Sequence, residues 1–142
     1  MKNYLDATPE SGKNFFLTFQ QQGKVVMLNL LKYRSKADYT HAKELDPGEE
    51  LTGREAYQLY MKHTRPVLEQ AGSKVLFYGD CGHFLIGPDN EKWDTMLLVE
   101  HESAEKFIAF AQNPDYLKTA GHRKAALEDS RLLPITLEAF ER

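Results

Sequence analysis

The run KVVMLNLLKY at residues 24–33 decides the fold. It has the length of a strand, it is rich in valine and leucine, and it lacks the polar alternation of a half-exposed strand. We therefore interpret Lys24 to Tyr33 as a core strand buried on both faces. A sheet built around it needs helices over one face and a further cover over the other.

The segments on either side of this strand predict helices. Residues 8–10, Thr-Pro-Glu, supply an N-cap, a proline at the first helical position and an acid in the first turn of a short helix that ends before Gly23. Thr52 and Glu55 form the capping box of a longer helix that Gly72 ends. Between the strand and this second helix, residues 34–51 lack a sustained period. We predict a loop there that crosses the cleft mouth or a dimer seam.

The rest of the chain predicts strands and two further helices. Ser103 caps one helix and Asn113 the other, which carries GHRKAALEDS at residues 121–130. The predicted strands are KVLFYGD (74–80) and HFLIGP (83–88) as a pair, then KWDTMLLVEH (92–101) and RLLPITLE (131–138), the last at a sheet edge because of Pro134. Without the N-terminal helix the order is β-α-β-β-α-β. This predicts an α+β, ferredoxin-like antiparallel sheet with both helices on one face.

Length, composition and charge indicate how many domains the chain has and which kinds of partner it does not bind. The 142 residues, 42% of them apolar and 27% charged, predict a single domain over residues 1–142. A net charge of -3, with acids and bases interspersed, argues against a nucleic-acid partner. The N-terminus MKNYLDATPE lacks the apolar run of a signal peptide and no stretch is long enough for a bilayer, so we expect a cytoplasmic protein without a membrane partner. The single cysteine, Cys81, excludes an internal disulfide.

Arg123 is the first candidate site residue. At about 100° per residue, a helix through residues 121–130 turns Arg123 inward beside Leu127 and His122 outward. The Arg123 guanidinium then either reaches water or pairs with an acid such as Asp94 or Glu100, or it enters a concavity between helix and sheet and holds a carboxylate or enolate. We interpret His122 as exposed or as a dimer contact.

Three further polar residues complete the candidate ligand-binding set. Asn29 is an amide within an apolar strand, and either the backbone satisfies it at a bulge or dimer seam, or it donates to a bound ligand. Tyr57 and Tyr60 lie on the inward face of the second helix. They are core aromatic residues whose hydroxyls need polar neighbours, or they line a pocket with Arg123.

No metal or cofactor site is predicted. No histidine pairs with another ligand-type residue on a helix face, and the loop pair His41 and Glu44 is the nearest to a metal motif. Glycine patterns for dinucleotides or phosphates do not occur. No catalytic residue is assigned either, since the bases on offer are His83, His101 or an acid such as Asp94, and the sequence does not place any of them in the cleft.

Four long segments resemble motifs of the bacterial domain-of-unknown-function family thirteen-thirty. The resemblance runs from Tyr4 to Pro134, and its motifs are VVMLNLLKYR (25–34), GREAYQLYMKHTRPVLEQAG (53–72), FLIGPDNEKWDTMLLVEH (84–101) and YLKTAGHRKAALEDSRLLP (116–134). That family is similar to the dimeric α/β-barrel superfamily, in which two ferredoxin-like sheets face each other. The resemblance implies a homodimer with a cleft between sheet and helices in each subunit, and it leaves the reaction open.

Two functional hypotheses follow from the cleft and the resemblance. The first is a cofactor-independent oxygenase, isomerase or lyase that acts on an acidic organic compound, as the superfamily's cofactor-free monooxygenases suggest. The haem-degrading branch resembles HESAEKF, but this chain has His101 where that branch carries tryptophan, which argues against haem. The second hypothesis is a non-catalytic, ligand-binding or stress-associated dimer in which Arg123 and Asn29 only bind a small anionic organic ligand. Both stay open on the sequence.

Overall fold

The central strand is the one that the sequence predicts. The computed structural model of the chain describes residues 2–136. Its helices and strands are α1 (Pro9–Phe19), β1 (Val25–Tyr33), α2 (Gly53–Gln70), β2 (Lys74–Asp80), β3 (Thr95–His101), α3 (Ala104–Ala111), α4 (Pro114–Thr119), α5 (Gly121–Ala126) and β4 (Leu127–Ile135), with a 3-10 turn at Lys43–Leu45.

The described strands form one antiparallel sheet in the order β2-β3-β1-β4. Helices α2, α3 and α5 pack over one face of the sheet. On this face Leu31 and Leu97 of the strands form one apolar core with helix residues such as Tyr57 and Phe110. This is the ferredoxin-like β-α-β-β-α-β arrangement, so the predicted α+β fold class is confirmed.

Two predicted helix starts are confirmed, and one of them depends on a glycine. Thr8 and Thr52 both form capping boxes, at the beginnings of α1 and α2. Gly53, the first residue of α2, lies so close to the chain that a Cβ there would overlap the carbonyl oxygens of Arg34 and Ala126. The missing side chain lets α2 begin against the end of β1, which positions its inward face over the sheet.

The prediction of a strand at residues 83–88 is wrong. The structure has an irregular, exposed loop between β2 and β3, in which Leu85 and Ile86 are 99% and 92% exposed. The partner of β2 is β3, with Lys74 opposite Glu100 and Asp80 opposite Thr95. Strand β2 therefore pairs with β3 across a long loop, and the predicted pair of residues 74–80 with residues 83–88 does not form.

The helix predicted through Ser130 ends earlier. It breaks near Ala120 into α4 and α5, and β4 begins at Leu127, which pairs with Tyr33 of β1. Tertiary pairing with β1 overrides the helical pattern in LEDS. Strand β4 is an edge strand of the described sheet and contains Pro134, as predicted, while Leu137 and Glu138 of the predicted strand lie outside the described residues.

The loop of residues 34–51 packs against α5 and does not line the cleft. The backbone N–H of Asp38 donates to the carbonyl of Ala125 over 2.9 Å, and a ring nitrogen of His41 lies 3.2 Å from the carbonyl oxygen of Gly121. The prediction that the loop crosses the cleft mouth is therefore wrong. Its alternative, a dimer seam, stays a prediction.

The sheet face away from the helices is apolar. Leu28 and Leu30 of β1 are half-buried there, with Leu98 of β3 beside them. Phe77 of β2 and Leu133 of β4 lie opposite these residues and are exposed. Within residues 2–136, no helix is long and apolar enough to cross a membrane.

Candidate functional site

A cavity of about 790 Å³ lies between the helix-covered face of the sheet and the helices. Residues 4–7 and α1 cover it from outside. Most of its wall is apolar and comes from six elements: Phe15, Phe19, Met27, Met61, Leu68, Leu97, Val99, Phe107, Phe110 and Leu132. A smaller hollow of about 270 Å³ within the loop of residues 36–51 holds none of the predicted site residues.

The structure brings all four predicted ligand-binding residues to the large cavity. Asn29, Tyr57, Tyr60 and Arg123 all line it. They come from β1, α2 and α5, so only the packing of both helices on one sheet face makes them neighbours. The four residues thus line one cavity, and their role in binding a ligand stays a prediction.

Arg123 turns inward, as predicted, but its partners are not acids. Nη1 donates to the carbonyl of Leu5 over 2.6 Å and Nη2 to Oγ of Ser130 over 3.1 Å. Asp94 instead accepts from the backbone N–H of Tyr33, and Glu100 pairs with Lys24, so the alternative in which Arg123 pairs with either acid is wrong. Among residues 2–136 no carboxylate lies within 4.0 Å of the Arg123 guanidinium. Three of its five N–H donors are left for other partners.

Tyr57 and Tyr60 differ in how their hydroxyls are satisfied. The Tyr60 hydroxyl lies 2.9 Å from that of Tyr116, and the Tyr57 and Tyr60 rings are 5.1 Å apart. Tyr57 is only 1% exposed, yet its hydroxyl has no hydrogen-bond partner among the described residues. Burial raises the pKa of both phenols well above the usual range, and the nearby Arg123 charge opposes this shift. Both phenols are therefore neutral and able to donate at physiological pH.

The Asn29 side chain is 9% exposed and is held by the backbone on one side. Its Nδ2 donates to the carbonyl of Leu97 over 3.2 Å and to that of Met27 over 3.4 Å. Both amide donors are thus engaged by strands, and they are not free for a ligand. The oxygen Oδ1 has no partner among residues 2–136, so it is the polar atom that Asn29 can offer to the cavity.

His101 also lines the cavity, and the sequence did not place it there. It is 2% exposed, its Nδ1 lies 2.8 Å from Oγ of Ser73, and its ring meets the Phe107 ring edge-on at 4.9 Å. Burial lowers the pKa of His101 to about 4, so the ring is neutral at physiological pH. The other bases considered do not reach the cavity, because His83 lies in the exposed loop and Asp94 binds the backbone of Tyr33.

The prediction that His122 is exposed is wrong. His122 is buried, its Nδ1 lies 2.7 Å from the Tyr39 hydroxyl, and its ring is parallel to that of His63 at 5.5 Å. Burial, with a smaller effect of His63, lowers the pKa of His122. A helical projection treats this face of α5 as outer, but the loop of residues 34–51 folds over it. His122 does not line the cavity.

Sequence reasoning missed the N-terminal cover. The backbone N–H of Tyr4 donates to Oδ1 of Asp129 over 2.8 Å, and Oγ of Ser130 donates to the carbonyl of Tyr4 over 2.6 Å. Together with the bond from Arg123 to Leu5, these contacts hold residues 4–5 across the cavity. No sequence pattern marks these backbone contacts. Tyr116, which was also missed, could have been found, because it shares the helical sector of Arg123.

Comparison with known proteins identifies the family. Residues 49–134 match the family described as Domain of unknown function (DUF1330). The chain belongs to this family. It is similar over its length to the RPA0582 protein of unknown function from Rhodopseudomonas palustris, solved in methylated form, with 35% identity, 98% of each chain covered and a TM-score of 0.86. The resemblance stated from the sequence motifs is thereby confirmed for family and fold.

More distant structures share the fold alone. A dabb family protein with a ferredoxin-like fold from Mesorhizobium loti is 10% identical, with 83% of this chain and 100% of that chain covered and a TM-score of 0.52. The hydroxynitrile lyase from Passiflora edulis is 15% identical, with 83% and 97% covered and a TM-score of 0.54. No curated protein matches the chain. The DUF1330 chain thus has a confirmed architecture, and its activity has to be argued from the cavity.

Proposed function

We propose that the cavity binds a small organic acid with an apolar body, such as an aryl- or alkyl-carboxylate. One observation carries this proposal. The Arg123 guanidinium has no carboxylate partner among residues 2–136, and it lines a mostly apolar cavity together with Tyr57, whose hydroxyl has no hydrogen-bond partner among the same residues. A charge in apolar surroundings is costly unless it is paired, and a ligand carboxylate would pair it.

The chemistry of the wall fits the two parts of such a ligand. Guanidinium binds carboxylate through two parallel N–H bonds, and Arg123 keeps enough donors for this after its contacts with Leu5 and Ser130. A neutral Tyr57 phenol can donate a further bond. The leucine, methionine and phenylalanine side chains around them would remove the apolar body from water. A volume of about 790 Å³ is within the range of small-molecule sites.

A cofactor-independent reaction on the same acid is the second candidate function, and His101 favours it. A neutral imidazole in the cavity could take a proton from a carbon next to a carbonyl group, while Arg123 and Tyr57 stabilise the negative charge that develops on the carbonyl oxygen. Some isomerases, lyases and cofactor-free oxygenases begin with such a proton abstraction. The low pKa of His101 makes it a weak base, which is why binding, and not turnover, is the function that the geometry supports best.

Replacing Tyr57 by phenylalanine tests the proposed site. We expect the affinity for 3-phenylpropionate to fall about 10- to 150-fold, because a hydrogen bond to a charged group contributes about 1.5 to 3 kcal/mol. The thermal stability of the free protein should hardly change, since the Tyr57 hydroxyl has no protein partner to lose. Isothermal titration calorimetry measures the first effect and thermal unfolding the second.

The matched control is Tyr39→Phe, which removes a hydroxyl that bonds to His122 outside the cavity. Its affinity for 3-phenylpropionate should equal that of the parent. Equal affinities of the Tyr57 variant and the parent, or no saturable binding of 3-phenylpropionate by the parent, would contradict the proposal.

We also propose that a second copy of the chain covers the open face of the sheet. Phe77 and Leu133 are exposed there beside the half-buried Leu28, Leu30 and Leu98, and an apolar face of this kind marks an interface. Light scattering at micromolar concentration should give twice the 16.3 kDa mass of the chain. A stable monomer under these conditions would refute the dimer and would leave the cavity proposal untouched.

A further inference from the structure

We infer that the acid bound in the cavity carries a hydroxyl group close to its carboxylate, so that the ligand class is hydroxy acids. This inference rests on the proposed function, because it takes the carboxylate to be held by Arg123. The feature that carries it is the fixed orientation of the Asn29 amide.

The Asn29 amide can adopt only one orientation. Its nitrogen faces two carbonyl oxygens, those of Met27 and Leu97, at 3.4 and 3.2 Å. A flipped amide would place Oδ1 against both of these acceptors and lose two hydrogen bonds. The oxygen is therefore the atom left on the other side of the amide, in a side chain that is 91% buried and lines the cavity. Asn29 thus presents a hydrogen-bond acceptor to the cavity, and only a ligand group with a hydrogen to donate can bind to it.

The Asn29 oxygen lies near Ser130, which binds the Arg123 guanidinium. In the ladder between β1 and β4, Asn29 is opposite Leu132 and Leu31 is opposite Ser130. Asn29 and Ser130 are therefore diagonal neighbours on the same face, and such neighbours have Cβ atoms somewhat less than about 7 to 8 Å apart. Since Nη2 of Arg123 bonds to the Ser130 hydroxyl at 3.1 Å, the guanidinium and the Asn29 oxygen both lie within the span of one small ligand.

A plain carboxylate satisfies only part of this site. It accepts from Arg123 and Tyr57, but it has no hydrogen to give to Asn29, and its arrival removes the water that would otherwise serve that oxygen. An acceptor that the bound ligand covers without offering a donor costs binding free energy, while a hydroxyl beside the carboxylate would satisfy it. The arrangement therefore discriminates between an acid and its hydroxylated analogue by hydrogen bonding, with little change in shape.

A pair of matched acids tests the inference. Calorimetry on the parent protein compares 3-phenylpropionate with each enantiomer of 3-phenyllactate, which differs from it by one hydroxyl. We expect one enantiomer to bind about tenfold more tightly than 3-phenylpropionate. In Asn29→Leu, which keeps the approximate volume without an acceptor, this preference should disappear while 3-phenylpropionate still binds.

The outcomes separate the two proposals. If 3-phenylpropionate binds as tightly as both enantiomers, the hydroxy-acid inference is overturned and the acid site stands. If Asn29→Leu keeps the preference, Asn29 is not the acceptor and the inference is again overturned. If none of the three acids binds to the parent, the proposed function itself fails. The comparison on the parent decides the matter even if Asn29→Leu does not fold.

Discussion

Replacing Arg123 by methionine is expected to weaken the binding of 3-phenylpropionate by about 30- to 1,000-fold, which corresponds to about 2 to 4 kcal/mol. Methionine keeps most of the length and apolar stem of arginine and removes the charge. Arg131, the other arginine that lines the cavity, is already paired with Asp129 at 2.7 Å. The ligand carboxylate would then lie in a mostly apolar cavity without an unpaired cation among the described neighbours, and its desolvation would no longer be compensated. Calorimetric titration of the variant measures the loss.

Arg123 also holds the N-terminal cover through the carbonyl of Leu5, so the experiment has to separate two effects. The neutral amide of the same acid, 3-phenylpropanamide, does so. Loss of the guanidinium charge should reduce the affinity for the acid and hardly affect the amide. A displaced cover would reduce both equally, and that result would contradict the assignment of Arg123 as the carboxylate anchor.

Two further variants define the role of the guanidinium. Arg123→Lys keeps the charge and removes the planar fork, so binding should weaken by about 1 to 3 kcal/mol. The neighbouring Lys124 is exposed on α5 and does not line the cavity, which makes Lys124→Met the control for the loss of one positive charge from this helix. Its affinity should match that of the parent. An unchanged affinity in Arg123→Lys would mean that charge alone holds the acid.

The second large effect is a loss of stability in mild acid. His101 has an ordinary pKa of 6.5 when unfolded, and burial lowers it to about 4 in the folded protein. Between these values the unfolded chain binds more protons than the folded chain, so the free energy of unfolding falls as the pH falls. A shift of this size corresponds to about 3 kcal/mol, lost progressively from about pH 6.5 to about pH 4.

Chemical unfolding at a series of pH values measures this slope. His101→Gln should remove most of the dependence between pH 6.5 and 4, and the part that stays is expected from His122, whose pKa is also lowered by burial. His83→Gln is the control, because His83 lies exposed in the loop between β2 and β3. An undiminished acid slope in His101→Gln would show that other groups destabilise the fold in this range.

Most of the fold was predictable because it depends on local patterns. The apolar run of β1 requires a strand with cover on both faces, and the capping boxes at Thr8 and Thr52 mark helix starts through contacts only three residues apart. Errors occurred where distant partners override local preference. Residues 127–130 have a helical pattern but pair with β1. Residues 83–88 have a strand-like composition, but β2 pairs with β3, which lies farther along the chain, and residues 83–88 form a loop.

The candidate site divides in the same way. Helical periodicity showed that Arg123, Tyr57 and Tyr60 face inward, since the side-chain direction on a helix follows from residue number alone. It misjudged His122, because periodicity distinguishes the faces of a helix but does not show what lies against each face. The loop of residues 34–51 buries that histidine through contacts such as the bond between Tyr39 and His122, 83 residues apart.

From the sequence by itself follow the order of the elements, the apolar character of both sheet faces and the inward direction of Arg123, because each is set by residues within one or two turns of chain. Only the tertiary structure decided what Arg123 meets. Its partner Leu5 is 118 residues away, and the partnerless oxygen of Asn29 lies on another strand. Such contacts depend on the register of paired strands and the docking of helices, which no local spacing encodes.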